Sequence, residues 1–175
     1  VALREGDCTV TTYTTMTTSL GTIILAATDG AICGIWFEGQ RHFAGIGEGW
    51  LETPDDPLLR RAASQLEEYF AGQRREFELP LEPGGTEFQR SVWQAIARVG
   101  YGTTSTYGDL ARELGVPGSV RAVGAATGRN PLSIVVPCHR VLARSGALTG
   151  YAGGVERKQA LLALERGDGP APRHR

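Results

Sequence analysis

The stretch "REFELPLEPGGTEFQRSVWQAIARV" (75–99) divides the chain into two textures. Pro80, Pro83, Gly84 and Gly85 interrupt an extended run and precede an amphipathic one, which is the punctuation of a linker. Before it the chain reads as strands, and after it as helices. The charge changes at the same place. Residues 1–85 hold six arginines against thirteen Asp and Glu, a net of −7, whereas 86–158 hold nine Arg and Lys against four acids, a net of +5. A basic second half is compatible with a phosphate partner, although a solvated charged surface accounts for it equally well. The reading is an N-terminal lobe over 1–84 with a structural role, a second lobe over 85–167, and a disordered tail over 168–175.

Within the first lobe, "CTVTTYTTMTT" (8–18) is rich in β-branched Thr, which favours a pleated surface. "LGTIILAATDGAICGIWFEG" (20–39) places two apolar runs around Asp29-Gly30, a tight-hairpin signal. "RHFAGIGEGW" (41–50) is glycine-rich and aperiodic, hence a loop. "TPDDPLLRRAASQLEEYFAG" (53–72) reads as a helix capped by Asp55 or Asp56, with Pro57 in its first turn and Gly72 at its end. Leu58, Leu59, Ala62, Leu66 and Phe70 form its apolar stripe, and "REFELPLEPGG" (75–85) reads as a last strand before the linker.

Thr86 caps the next helix, over 86–99, with Phe88, Val92, Trp93, Ile96 and Val99 on one side. "STYGDLARELG" (105–115) and the small-residue segment capped by Ser119, ending at Asn130-Pro131, give two short helices joined by a Gly/Pro turn, a helix-turn-helix candidate. A final helix, "VERKQALLALERG" (155–167), turns Ala160, Leu161 and Leu164 to the core. The fold class is therefore α/β: a small lobe with an antiparallel sheet plus a helix, then a mostly helical lobe with a helix-turn-helix.

The chain has 175 residues, 41% of them hydrophobic and 21% charged, ordinary for a globular protein. No apolar run reaches the roughly 18 residues of a membrane span. "VALREGDC" lacks a signal-peptide core, and three cysteines without framework spacing point to a reducing, cytoplasmic setting. Cys8 and Cys33 belong to no CxxC or CxxH pair, so they read as ordinary thiols and no metal site is expected.

Cys138 is different: it lies in "IVVPCHRV" (134–141), between a proline and a histidine. Pro137 biases Val136 toward an extended backbone, so the segment is expected to be strand-like up to the cysteine. A free thiol is only a few per cent ionised at neutral pH and needs a base, for which His139 is the nearest group. The imidazole in turn needs a carboxylate behind it, and Glu165, after the apolar run of the last helix, is placed to point inward. Acyl transfer, peptidase chemistry and alkyl transfer all remain open on these residues alone.

The ordered set "RAVGAATGRNP" (121–131), "IVVPCHRV" (134–141), "GALTGYAGG" (146–154) and "KQALLALE" (158–165), with "GTEFQRSVWQAIARVGYGTTSTYGDLA" (85–111) upstream, closely resembles the O6-alkylguanine-DNA alkyltransferases. The resemblance implies direct-reversal DNA repair: one transfer per molecule of the alkyl group of O6-alkylguanine to Cys138, with O4-alkylthymine left open as a second substrate. It implies duplex DNA as partner, a monomer, no membrane and no cofactor. His139 would take the thiol proton through a water, Glu165 would orient it, and Asn130 would hold the active-site turn. Tyr107 would bond guanine N3, while Val136, Tyr151 and Ala152 would wall the pocket. The DNA contacts implied are Arg121, filling the space of the flipped base, the small residues Ala122, Gly124 and Ala125, then Tyr107, Gly108 and Ser145. Base extrusion is required because the duplex hides the O6 carbon from a protein thiol. Ala152 stands where several relatives carry serine, and Gly108 where some carry a larger polar residue. The alternatives are an alkyltransferase-like module that recognises damage without transfer, a helix-turn-helix regulator and a thiol peptidase. The first of these lacks the acceptor cysteine.

Overall fold

The computed structural model describes residues 9–168. The expected tail beyond Asp168, and Cys8 with its thiol, lie outside the described residues. Strands β1 (Thr12–Thr18), β2 (Gly21–Thr28) and β3 (Ala31–Phe37) form an antiparallel meander, and β4 (Leu51–Glu52) adds parallel to β1, giving the order β3-β2-β1-β4. Asp29 (φ 52°) and Gly30 (φ 76°) both adopt the left-handed region that a two-residue β2–β3 hairpin demands. The two-residue β4, outside the sequence reading, survives because Leu51 N–H bonds to Thr11 O and Thr53 N–H to Tyr13 O.

Helix α1 (Pro57–Phe70) starts where Asp56 Oδ1 accepts from the N–H groups of Leu58 and Leu59, and stops at Gly72 (φ 74°). Its buried stripe is Leu59, Ala62, Leu66 and Tyr69, whereas the expected members Leu58 and Phe70 are only half-buried.

The segment 75–85 is not a strand of the sheet. Only Leu81 bridges to Ile32, through Ile32 N–H to Pro80 O (2.8 Å) and Glu82 N–H to Ile32 O (2.9 Å). Pro80 and Pro83 have no N–H to extend that ladder. The free edge of β3 is shared with a second visitor, Ile35 bridging to Leu132. Both segments cover an edge that would otherwise stay unpaired.

Helix α2 (Glu87–Ala97) opens with a full capping box between Thr86 and Gln89. Then come β5 (Ser105–Thr106), α3 (Tyr107–Glu113), α4 (Val120–Gly128), a 3-10 turn (Cys138–Arg140), β6 (Val141–Leu142) and α5 (Val155–Arg166). Ser119 does precede α4, but its side chain makes no capping bond. Trp93 Nε1–H donates to Ala126 O (2.8 Å), pinning α4 on α2. One apolar cluster runs through both lobes, from Leu25, Ile35 and Phe37 through Leu59 and Tyr69 to Val92, Ile96, Val123, Leu132 and Leu161. Among the described residues no helix is long and apolar enough to cross a membrane.

Candidate active site

The run before Cys138 is a pair of tight turns, where the sequence reading expected a strand. Val135 N–H bonds back to Ser133 O (2.9 Å) around Ile134, whose φ is 73°. Cys138 N–H bonds to Val136 O (2.8 Å) around Pro137, at φ −82° and ψ 64°. These are γ-turns, the first of the strained hand. A β-branched residue at positive φ costs about 1–3 kcal/mol, so the surroundings must impose it.

Asn130 is what imposes it. Its Oδ1 accepts from Leu132 N–H (2.9 Å), and its Nδ2 donates to Val136 O (2.8 Å) and to the Cys138 sulfur (3.2 Å). Local carboxamide bonding of this kind outcompetes the ladder a strand would need. From the other lobe, buried Gln40 accepts through Oε1 from Phe37 N–H (2.9 Å) and from Ser133 Oγ–H (3.1 Å). The turn is thus clamped from both sides, and the 3-10 turn delivers Cys138 and His139 together.

His139 is fully buried, with Nε2 2.7 Å from Glu165 Oε1. Arg140 grips the same carboxylate twice, Nε to Oε2 and Nη2 to Oε1, both at 2.9 Å, and donates through Nη1 to Val99 O (2.6 Å). Gly102 N–H (3.3 Å, to Oε2) and Tyr69 O–H (2.7 Å, to Oε1) complete the shell. Burial raises the Glu165 pKa, but the bonds from His139 and Arg140 outweigh it and hold the carboxyl at about 2. Burial lowers the His139 pKa below the ordinary imidazole value despite that carboxylate, so the ring is neutral at pH 7. Since Glu165 takes the Nε2 proton, Nδ1 is the bare acceptor; it is buried without a hydrogen-bond partner among the described residues.

Burial pushes the Cys138 thiol up, opposed by the Asn130 bond and by the charge of Lys158. The resting group is therefore a thiol beside a neutral base rather than a standing thiolate. Lys158 is itself fully buried, donating to Val141 O (2.6 Å) with Nζ 6.0 Å from the Tyr151 ring centre.

The remaining sequence-derived residues fall in distinct places. β5 pairs parallel with β6, which fixes Tyr107, the first residue of α3, against the exit of the Cys138 turn. Tyr107 O–H reaches Thr149 O at 3.5 Å, and burial raises its pKa, so it stays a donor. Val136 is buried, the Tyr151 hydroxyl is buried without a partner among the described residues, and Ala152 O accepts from Arg41 N–H (3.0 Å). Arg121, Ala122 and Ala125 are exposed on α4, with Gly124 half-buried 3.9 Å from Tyr107 Cδ1, as measured from an added Cβ. Arg121 bonds to no other described residue. A groove lined by Tyr107, Gly108, Arg112, Val120 and Arg144 runs beside α4. Ser145 lies outside it, in an exposed loop where its Oγ accepts from Ala147 N–H.

Three members of the buried cluster escaped the sequence reading: Tyr69, Arg140 and Lys158. Two had a signal. Lys158, Leu161 and Glu165 share a helix face, and Tyr69 continues the Leu59–Ala62–Leu66 stripe. Arg140 had only its place beside His139.

Two family models match, described as the 6-O-methylguanine DNA methyltransferase ribonuclease-like domain over residues 11–83 and its DNA binding domain over 87–167. A methylated-DNA--protein-cysteine methyltransferase of Mycolicibacterium paratuberculosis is 46% identical over 159 residues, 91% of this chain and 94% of the relative. The constitutive methylated-DNA--protein-cysteine methyltransferase of Bacillus subtilis is also 46% identical, over 88% of this chain and 94% of its own. The crystal structure of Mycobacterium tuberculosis OGT in complex with DNA superposes with a TM-score of 0.85 at 41% identity, covering 91% of this chain and 96% of that one. By sequence over both lobes and by fold, the chain belongs to the 6-O-methylguanine DNA methyltransferase family.

Proposed function

We propose that the protein repairs DNA by direct reversal, moving the alkyl group of O6-alkylguanine to Cys138 once per molecule. The observation that carries this reading is the buried thiol–imidazole–carboxylate arrangement, in which Glu165 holds His139 Nε2 at 2.7 Å and leaves Nδ1 bare. As the sulfur closes on the alkyl carbon, its proton passes through a water to Nδ1 and the C–O6 bond breaks. The electron pair leaves with guanine, which Tyr107 meets at N3 as a hydrogen-bond donor. Asn130, 3.2 Å from the sulfur, keeps the nucleophile aimed. The thioether is no leaving group, so the chain is consumed. The same displacement applies to O4-alkylthymine.

On the DNA side, α4 presents Arg121 with Ala122, Gly124 and Ala125, small residues that let backbone approach a groove closely. Arg121 is unpaired among the described residues and free to occupy the space a flipped base leaves. Residues 1–84 serve as the supporting lobe and 85–167 as the DNA-binding, alkyl-accepting one. A reducing, cytoplasmic compartment suits a thiol acceptor. Incubation with a duplex carrying radiolabelled O6-methylguanine tests the assignment. Cys138→Ala is expected to bind the duplex and take up no label; label on any other residue contradicts it.

A further inference from the structure

The N-terminal lobe reaches Glu165 through Tyr69. Tyr69, near the end of α1, is fully buried, and its ring is fixed by edge contacts with Phe70 (5.6 Å between centres) and Tyr101 (6.2 Å) and a tilted one with Phe77 (5.7 Å). Its hydroxyl therefore has little freedom, and it is spent on Glu165 Oε1 at 2.7 Å. That oxygen already receives His139 Nε2 (2.7 Å) and Arg140 Nη2 (2.9 Å). A carboxylate oxygen offers two lone pairs, so three donors at one atom share what two would hold more strongly.

Building on the alkyl-transfer reading, we infer that Tyr69 is a positioning residue of the relay, its hydroxyl setting how tightly Glu165 holds the His139 proton. Its effect runs through competition. With the phenol in place, Glu165 draws less on the imidazole, and His139 stays neutral to lower pH. The phenol does not ionise, because burial and the adjacent Glu165 raise its pKa far above 10. It is therefore a donor to Glu165 and not an acceptor. The other charged or titratable groups around the pair are Arg140 and Cys138 on the turn, Lys158 on α5, Tyr151, and Tyr101, whose ring lies under the guanidinium groups of Arg75 (5.2 Å) and Arg140 (5.6 Å). Of the donors to Glu165 Oε1, the Tyr69 hydroxyl is the one that can be removed without removing a charge. On this account the first lobe contributes to the chemistry as well as to support.

The test compares wild type, Tyr69→Phe, which keeps the ring, and Tyr69→Leu, which loses it. The His139 titration is followed by NMR on the unreacted protein, and the rate of Cys138 alkylation by free O6-benzylguanine is measured against pH. Both variants are expected to raise the His139 midpoint by about half to one pH unit, with the acid limb of the rate following it, although they differ in thermal stability. A midpoint unmoved in Tyr69→Phe, or a shift that tracks stability rather than the hydroxyl, overturns the inference. The NMR arm does not need transfer to occur. A wild-type chain that titrates as expected yet stays unalkylated would fell the alkyl-transfer reading and leave the Tyr69–His139 coupling standing.

Discussion

At the residue scale, the site is a set of buried polar groups that satisfy one another. Glu165 is the hub, and the Arg140 guanidinium grips it through two bonds at 2.9 Å. Removing one member of such a pair strands the other, so Arg140→Ala is expected to cost about 3–5 kcal/mol of stability, measured by denaturant unfolding. The depressed His139 pKa has a kinetic counterpart. An ordinary imidazole base would fail on acidification through pH 6.5, whereas here the acid limb of Cys138 alkylation is expected below 6.5. Stopped-flow alkylation by a free-base substrate reads this directly, and a limb at or above 6.5 would mean the base is misassigned. Glu165→Gln keeps an acceptor oxygen but removes the negative charge behind the Nε2 proton, and is expected to slow alkylation by about 10²-fold or more, measured in the same assay.

At the scale of elements, α4 is a lever held by Trp93 and backed by a core that includes Val123 and Ala126. Arg121→Ala touches none of that core. It is expected to leave stability unchanged and to slow reaction on alkylated duplex at least tenfold more than reaction with free O6-benzylguanine. Equal losses on the two substrates would remove α4 from the flipping step. Elements were legible where local chemistry announces them: the Asp29-Gly30 hairpin and the Thr86 cap form as read, and of the two cap candidates before Pro57 the structure uses Asp56. The misreadings share one physical cause. Residues 134–138 carry strand-forming side chains, yet Asn130 and Gln40, distant in sequence or acting through side chains, dictate γ-turns. Likewise Pro80 and Pro83 limit the pairing of 75–85 with β3 to the single bridge at Leu81. The Cys138, His139 and Glu165 grouping was legible as a motif, whereas the convergence of Tyr69 and Arg140 on the same carboxylate is a tertiary contact.

At the scale of the whole molecule, one core binds an acidic lobe to a basic one, and the relay sits where they meet. Acidification attacks that junction twice. The depressed His139 pKa means stability is complete above pH 6.5 and declines as pH falls below it, because the unfolded chain takes the proton more readily. The depressed Glu165 pKa adds a second loss, from its ordinary 4.5 down to about 2. Thermal unfolding midpoints are expected to fall from about pH 6.5 downward, most steeply below 4.5, and a flat profile across that range would contradict the buried relay. The central claim, that one sulfur permanently accepts the lesion's alkyl group, is tested most directly by intact-mass spectrometry after incubation with excess O6-methylguanine duplex. The account predicts a gain of one methylene per chain, localised to the peptide that holds Cys138, and no further turnover. An unmodified chain, or many lesions repaired by each molecule, would contradict it.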